Sequence, residues 1–252
     1  MVYSDSLIFL MSKTLKAGLV SLGLGGLLLL TACNGPQPPA IEQSDRNSAS
    51  ATSDPLAEDV NNLRRGSGTQ IIALGDSITA GAGVGPEAAY PNLLSQTLDL
   101  PIVNRGRGGD TTEAALNRLQ QDVIEADPWL VIVGLGGNDY LRQVPPAQTE
   151  ANLRQIVTRL QQAGAIVVLL GMDISPFNSG YEGLYQRVAN DTQAHLIAGV
   201  LEGLNDPRYL YDQIHPNQAG HEILAERVAA GLQPLLEAAT LPESLSNQRH
   251  SQ

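Results

Sequence analysis

Short runs of β-branched and aliphatic residues alternate with helical patterns along residues 70–237, and this alternation constrains the fold more than any other feature. The runs predict strands at residues 70–74, 101–103, 129–133, 165–170 and 195–200. Apolar residues at helical spacing predict helices at residues 90–98, 111–125, 149–163, 181–192 and 217–237. Such an order is typical of an α/β fold with a parallel sheet covered on both faces by helices.

Composition narrows the class of protein further. A length of 252 residues indicates one main domain with additional segments, and 42% hydrophobic residues are enough for a sizeable core. Aromatic residues make up only 4%, so the core is predicted to be aliphatic. The net charge of −11 argues against nucleic acid as a partner, because phosphate binding needs clustered Lys and Arg.

The N-terminus has the composition of an export signal. Lys13 and Lys16 precede an apolar stretch at residues 17–30, which is short for a membrane-spanning helix. The following Thr31-Ala32-Cys33 resembles a bacterial lipobox, in which the cysteine is acylated and becomes the first mature residue. We therefore expect a signal peptide at residues 1–32 and an exported lipoprotein held at the cell envelope through Cys33, in the periplasm or at the outer membrane if the host is didermal. The alternative is a plain signal peptide followed by an incidental cysteine.

The remaining segments divide by composition. Residues 33–68 are rich in Pro, Ser, Asn and Gln, which predicts a flexible tether. Residues 69–238 form the predicted folded domain, and residues 239–252 are predicted to be a disordered tail. Cys33 is the only cysteine, so no disulfide within the chain is expected.

Polar segments follow the predicted strands in a suggestive order. Ser77 comes after the first strand, Gly109 after the second and Asn138 after the third, while Asp212 and His215 lie beyond the fifth. Because parallel strands end on one edge of a sheet, and ligands bind there, we expect these segments to converge.

The converging residue types are those of a nucleophilic hydrolase. A serine needs a base to take its proton, and a histidine base needs a carboxylate to fix its tautomer. Asp212 and His215, three residues apart, are predicted to face the same way on a helical turn. Structural alternatives exist for the other positions: Ser77 could cap a short helix, Gly109 could serve a turn at positive φ, and Asn138 could be a turn residue. No cluster of His, Cys and carboxylates in the sequence suggests a metal.

Together these motifs resemble the GDSL, or SGNH, hydrolase superfamily. The resemblance covers roughly residues 70–235 and rests on four blocks in order: Gly75-Asp76-Ser77, Gly109-Asp110-Thr111, Gly136-Gly137-Asn138-Asp139 and Asp212-Gln213-Ile214-His215-Pro216-Asn217. The segment Leu135-Gly136-Gly137-Asn138-Asp139-Tyr140-Leu141-Arg142 is most similar to the bacterial acyl-thioesterase, lysophospholipase and arylesterase subgroup.

The resemblance implies a flavodoxin-like three-layer α/β/α sandwich with a five-stranded parallel sheet. It implies that Ser77 is the nucleophile, His215 the base and Asp212 its orienter. The backbone N–H groups of Ser77 and Gly109 and the Asn138 amide would bind the oxyanion, and no cofactor is expected. From loop position alone, the acyl group is expected to lie against Leu141, Ile174 and Pro176.

The sequence thus predicts a monomeric, lipid-anchored serine esterase that cleaves small acyl esters or thioesters through an acyl-serine intermediate. One alternative is an O-deacetylase of carbohydrate or cell-wall polymers within the same superfamily. A second alternative, from another functional class, is an envelope lipoprotein that uses the fold only to bind a ligand.

Overall fold

A computed structural model describes residues 60–172, 180–181 and 183–248 of the chain. Five strands form one sheet: β1 (Gln70–Gly75), β2 (Ile102–Gly106), β3 (Pro128–Gly134), β4 (Ile166–Leu170) and β5 (His195–Ile197). Their order across the sheet is β2-β1-β3-β4-β5, and every neighbouring pair is parallel. The parallel five-stranded sheet expected from the sequence is confirmed.

The helices of the described residues form the outer layers. They are α1 (Ser77–Ala80), α2 (Tyr90–Leu98), α3 (Thr112–Asp122), α4 (Gly137–Leu141), α5 (Pro146–Gln162), α6 (Leu184–Thr192), α7 (Gln218–Ala238) and α8 (Glu243–Gln248). Helix α2 packs against α7, whereas α5 packs against both α3 and α6. The three-layer α/β/α architecture is therefore the predicted one.

The sheet lies in the centre of an aliphatic core. All residues of β3 and β4 are buried, as are the last five residues of β1. Strands buried on both faces read as continuous apolar runs, which is why the sequence signal for these three is strong. Each fully buried Leu, Ile or Val side chain contributes about 1.5–3 kcal/mol to folding relative to an exposed one.

The strand order creates a switch point beside β1. The chain runs from β1 outward to β2 and then crosses back to β3 on the other side of β1. In open α/β sheets, ligands bind outside the carboxyl ends of the strands at such a switch point. Residues that follow β1 and β3 are thereby placed next to each other.

Both ends of the domain extend beyond the predicted boundaries. At the N-terminal end, Val60 and Leu63 are buried, and Asn62 donates through Nδ2 to the carbonyls of Gln161 (2.9 Å) and Ala165 (3.0 Å). Residues 60–68, assigned from composition to the tether, therefore belong to the folded domain. At the C-terminal end, residues 243–248 form α8 and Leu245 is buried against the core, so this part of the predicted tail is also folded.

Other predicted features lie outside the described residues, among them the signal peptide, Cys33 and residues 249–252. Of the helices that the structure describes, none has both the length and the hydropathy needed to span a membrane.

Within the domain, one boundary difference concerns the last strand. The sequence pattern predicts that β5 extends to residue 200, but the strand ends at Ile197. Gly199 has a φ of 61°, in the left-handed region, which turns the chain away from the sheet. Residues 198–206 then form a loop above the carboxyl edge of the sheet, next to the candidate active site.

Candidate active site

Ser77 lies at the first position of α1, directly after β1. The preceding Asp76 caps this helix, because its Oδ1 accepts a hydrogen bond from the Ile78 N–H (3.0 Å). Position 75 needs a glycine because Thr79 packs closely against it: a Cβ atom there would lie 1.9 Å from Thr79 Oγ1. The sharp strand-to-helix turn therefore depends on Gly75 and Asp76 and presents Ser77 at the rim of the sheet.

His215 contacts both Ser77 and Asp212. Its Nε2 lies 3.0 Å from Ser77 Oγ, and its Nδ1 lies 2.8 Å from Asp212 Oδ2. An ionised carboxylate only accepts hydrogen bonds, so Nδ1 carries the proton and Nε2 is left to accept from the serine hydroxyl. The hydrogen bond from His215, together with the backbone N–H groups of Ile214 and His215, lowers the pKa of Asp212 to about 2.

The segment that carries Asp212 and His215 is not helical, so the prediction of a helical turn there is wrong. Residues 211–215 form a bend, closed by a hydrogen bond from the Tyr211 N–H to the His215 carbonyl (2.8 Å). Asp212 Oδ1 accepts from the backbone N–H groups of Ile214 and His215, both at 2.8 Å. One carboxylate thus shapes the turn with one oxygen and orients the imidazole with the other.

The other histidines of the described residues have different partners. His221 is fully buried, and its Nδ1 accepts a hydrogen bond from the Tyr90 N–H (3.2 Å). Burial lowers the pKa of His221 to about 4, so it remains neutral at neutral pH. His195 Nε2 lies 2.8 Å from the Gly231 carbonyl oxygen, on the β5–α7 side of the domain. Of these three histidines, only His215 contacts the Ser77 hydroxyl.

Three hydrogen-bond donors line the same cavity as the serine hydroxyl. Ser77, Gly109 and Asn138 all contribute to its wall. Within the described part of the chain, the backbone N–H groups of Ser77 and Gly109 donate to no protein acceptor. Asn138 Nδ2 donates to the Asp110 carbonyl (3.0 Å), which fixes the orientation of its amide. This arrangement of donors beside a serine hydroxyl is suited to binding a developing oxyanion.

Arg118 connects the segments that carry these donors, and the sequence pattern does not identify it. Its Nε pairs with Asp110 Oδ2 (2.6 Å), and its Nη2 donates to the carbonyls of Gly75 (3.2 Å) and Arg105 (2.8 Å). The Arg118 and Asp110 side chains are 9% and 8% exposed, so the pair is shielded from water. Arg118 occurs on a helix with mixed polar residues, and nothing in its sequence spacing distinguishes it from a surface arginine.

Asp139 forms a second connection beneath the site. It is fully buried, and its carboxylate accepts from the Thr112 N–H (2.8 Å), the Thr112 hydroxyl (2.5 Å) and the Thr149 hydroxyl (3.3 Å). These contacts join α4, which carries Asn138, to α3 and α5. They hold Asn138 in register with the Gly109 segment.

A cavity of about 770 Å³ opens beside Ser77 and His215. Its apolar lining includes Leu141, predicted from the sequence, and other aliphatic residues, among them Ile78, Leu201, Leu204, Leu210 and Ile214. Ile174 and Pro176, the other predicted lining residues, lie outside the described residues. The sequence does not predict the contribution of residues 201–205, because its pattern places a strand up to residue 200 and gives no signal for the loop beyond.

No metal centre is formed by the residues described: no group of three or more His, Cys, Asp and Glu side chains among them is arranged to hold an ion. The polar side chains in the cavity wall beside Ser77 include those of Asp76, Asn138 and His215.

Comparisons with known proteins agree with this geometry. The model of the GDSL-like lipase/acylhydrolase family matches residues 73–223. Esterase TesA of Pseudomonas aeruginosa is 34% identical over 178 residues, which cover 66% of this chain and 89% of the relative. Thioesterase 1/protease 1/lysophospholipase L1 of Escherichia coli is 32% identical over 183 residues, 69% of this chain and 88% of the relative.

A solved structure and a less similar relative point to the same family of esterases. The crystal structure of TesA superposes with a TM-score of 0.62 at 32% identity, over 66% of this chain and 99% of that chain. An acetylxylan esterase of Geobacillus stearothermophilus is 26% identical over 204 residues, 65% of this chain and 93% of the relative. With the strand order, the serine–histidine contact and the family match in agreement, the chain belongs to the GDSL-like lipase/acylhydrolase family and is a serine hydrolase of carboxylic esters.

Proposed function

We propose that this enzyme cleaves small acyl esters and thioesters through an acyl-serine intermediate, with Ser77, His215 and Asp212 as its catalytic residues. The observation that carries the proposal is the unbroken series of contacts from Ser77 Oγ to His215 (3.0 Å) and from His215 to Asp212 (2.8 Å). Ser77 Oγ attacks the carbonyl carbon while its proton passes to His215 Nε2. His215 then protonates the leaving oxygen or sulfur as the bond to the acyl carbon breaks.

Deacylation uses the same groups, with water as the attacking group in place of the serine hydroxyl. Water attacks the acyl-serine and gives its proton to His215, which returns a proton to Ser77 Oγ as the carboxylic acid leaves. In both halves, negative charge develops on the former carbonyl oxygen. The N–H groups of Ser77 and Gly109 and the Asn138 amide stabilise that charge, and Asp212 stabilises the imidazolium.

The acyl chain of the substrate occupies the apolar part of the cavity. Leu141, Leu201, Leu204 and Ile214 line it, and this lining favours a hydrocarbon chain over a polar one. A volume of about 770 Å³ is in the range of ordinary small-molecule sites. The relatives named esterase and thioesterase/lysophospholipase support this substrate class.

A panel of substrates tests the proposal: p-nitrophenyl esters of increasing acyl length, an acyl-CoA, a lysophospholipid and acetylated xylan. We expect turnover of the acyl esters and thioester, and its loss in Ser77→Ala. Ser67→Ala is the matched control, since Ser67 is exposed at the opposite edge of the sheet. Full activity in Ser77→Ala would contradict the assignment of the nucleophile.

The same panel decides between the proposed substrate and its alternatives. The similarity to an acetylxylan esterase favours carbohydrate deacetylation as a second candidate. Acetate release from acetylated xylan well above turnover of the acyl esters would replace the first candidate with the second. A protein that only binds a ligand would leave a fluorophosphonate probe unattached, whereas an activated serine forms a covalent adduct with it.

The enzyme is further proposed to be a monomer anchored to a bacterial envelope membrane by acylation of Cys33. Support for the anchor comes from the sequence alone: basic residues, an apolar stretch and Thr31-Ala32 precede the only cysteine.

Labelled palmitate fed to an expressing bacterium should be incorporated into the full chain and not into the Cys33→Ser variant. Cys33→Ser should move from the membrane to the soluble fraction, where light scattering measures its mass. Equal labelling of both chains would exclude the anchor.

A further inference from the structure

Residues 198–206, here called the wall loop, form one side of the catalytic cavity. They run from the end of β5 to the short 3₁₀ turn Pro207–Tyr209. The cavity is lined by five consecutive residues of this loop, Leu201, Glu202, Gly203, Leu204 and Asn205. The position of the wall loop therefore sets the width of the site on this side.

The backbone of the wall loop is held mainly by local turns. Glu202 N–H donates to the Gly199 carbonyl and Leu204 N–H to the Leu201 carbonyl, both at 3.0 Å. Among the described residues, its single long-range backbone hydrogen bond runs from the Val200 N–H to the Gly171 carbonyl, at 3.3 Å. Val200 and Leu204 are buried in the core and anchor the loop by their side chains. The backbone between them forms consecutive turns of little intrinsic rigidity, so it needs support from a further element.

Arg227 supplies that support from helix α7. Its Nη1 donates to the carbonyl oxygens of Val200 (3.0 Å) and Glu202 (2.6 Å). Arg227 forms no ion pair with any carboxylate in the described part of the chain, so its guanidinium is directed to the carbonyls of the wall loop. Hydrogen bonds from a charged donor are stronger than those between neutral groups.

We infer that Arg227 is a positioning residue that fixes the wall loop and thereby strengthens the binding of longer acyl chains relative to short ones. The inference rests on the proposed placement of the acyl chain in this cavity. A short acyl group reacts next to Ser77, and its binding does not depend on contacts with the wall loop. A long acyl chain gains binding energy from Leu201 and Leu204 only if these side chains are already held in place, since ordering the loop upon binding would cost conformational entropy.

The test compares the parent enzyme with Arg227→Leu and Arg227→Lys on p-nitrophenyl acetate, butyrate, octanoate and decanoate. For Arg227→Leu we expect KM for decanoate to rise about 10-fold while kcat/KM for acetate stays within about twofold. Arg227→Lys keeps one charged donor and should give an intermediate KM for decanoate. Arg159→Leu is the matched control, because it removes an arginine from the last turn of α5, and it should behave like the parent.

Each other outcome contradicts the inference. An equal loss on acetate and decanoate would mean that Arg227 supports the fold or the triad in general, and unchanged kinetics would mean that the wall loop does not need it. If Arg227→Leu fails to fold by circular dichroism, Arg227→Lys decides the question by its ratio of decanoate to acetate KM. A parent enzyme indifferent to acyl length would overturn the inference by removing its premise, the acyl chain in the cavity, while Ser77→Ala would still report on ester hydrolysis itself.

Discussion

Asp76 is a buried carboxyl group between the turn that carries Ser77 and the amide of Asn138. Its Oδ1 accepts from the Ile78 N–H (3.0 Å), and its Oδ2 lies 3.5 Å from Asn138 Nδ2. Burial raises the pKa of Asp76 to about 6, and the nearby carboxylates of Asp110 and Asp139 act in the same direction. Hydrogen bonding to Ile78 and the charge of His215 oppose the shift without cancelling it.

Replacing Asp76 with Asn should change how the stability of the protein depends on pH. A carboxyl group with a raised pKa in the folded state stabilises the fold below its unfolded pKa, and this stabilisation is lost as pH rises through the folded pKa. Relative to Asp76→Asn, the parent should therefore lose about 3 kcal/mol in its free energy of unfolding between about pH 3 and pH 7. Urea denaturation of both proteins at several pH values measures the difference, in which all shared titrating groups cancel. A constant difference across this range would contradict the expectation.

The proposed role of Asn138 in turnover can be separated from a role in binding. Asn138→Ala should lower kcat on p-nitrophenyl butyrate by about 10²–10³, with little change in KM, because the lost amide acts on charge that develops in the transition state. Asn92→Ala is a suitable control, since its amide bonds to the Glu87 carbonyl at an exposed turn. A decrease in kcat of less than about tenfold would show that the two backbone donors suffice.

At this scale, sequence reasoning locates the residues that meet at the rim but not their environment. Ser77, Gly109 and Asn138 can be placed together because each follows a strand of one parallel sheet. The raised pKa of Asp76 and the pairing of Arg118 with Asp110 depend on burial by distant segments. Neither local spacing nor residue type contains that information.

At the scale of elements, Asp212 and His215 lie close together as predicted, but in a different local structure from the predicted one. The spacing of Asp212 and His215 suits a helical turn, but the Asp212 carboxylate accepts from the N–H groups of Ile214 and His215 and stabilises a turn instead. Asp side chains commonly compete with helical hydrogen bonds in this way. The following helix begins only at Gln218, capped by Asn217, whose Oδ1 accepts from the Gly220 N–H (3.1 Å).

The attachment of α4 to its neighbours is expected to depend on Asp139. Asp139→Ala leaves the Thr112 N–H and two threonine hydroxyls without their buried acceptor, which should lower the free energy of unfolding by roughly 3 kcal/mol. Asp191→Ala is the control: its ion pair with Arg154 is exposed and should contribute less than about 1 kcal/mol. Urea denaturation of both variants provides the comparison, and equal effects would contradict a special role for Asp139.

For the whole molecule, the limits of the domain are the least predictable feature. Residues 60–68 and 239–248 are polar in composition and lack a clear period, so their composition indicates a tether and a tail. They fold because a few side chains, among them Leu63 and Leu245, fill space next to distant elements of the core. A single buried leucine in a short segment has no pattern that a sequence window could detect.

Helix α8 should accordingly contribute to stability. Leu245 is 1% exposed, and Leu245→Ala should lower the free energy of unfolding by about 2–4 kcal/mol through lost burial and the cavity left behind. Ser244→Ala, at an exposed neighbouring position, should change it by less than about 0.5 kcal/mol. Chemical denaturation measures both, and a negligible effect of Leu245→Ala would indicate that α8 does not stabilise the domain.

The contact between Ser77 and His215 joins residues separated by 138 positions in the chain. Closing so long a segment is slow, because its entropic cost must be met before distant contacts form. The Ser77–His215 contact consequently forms late in folding, only after the strands between these two residues have assembled. During refolding from urea, ester hydrolysis should return with the slowest kinetic phase, after most of the far-ultraviolet circular dichroism signal.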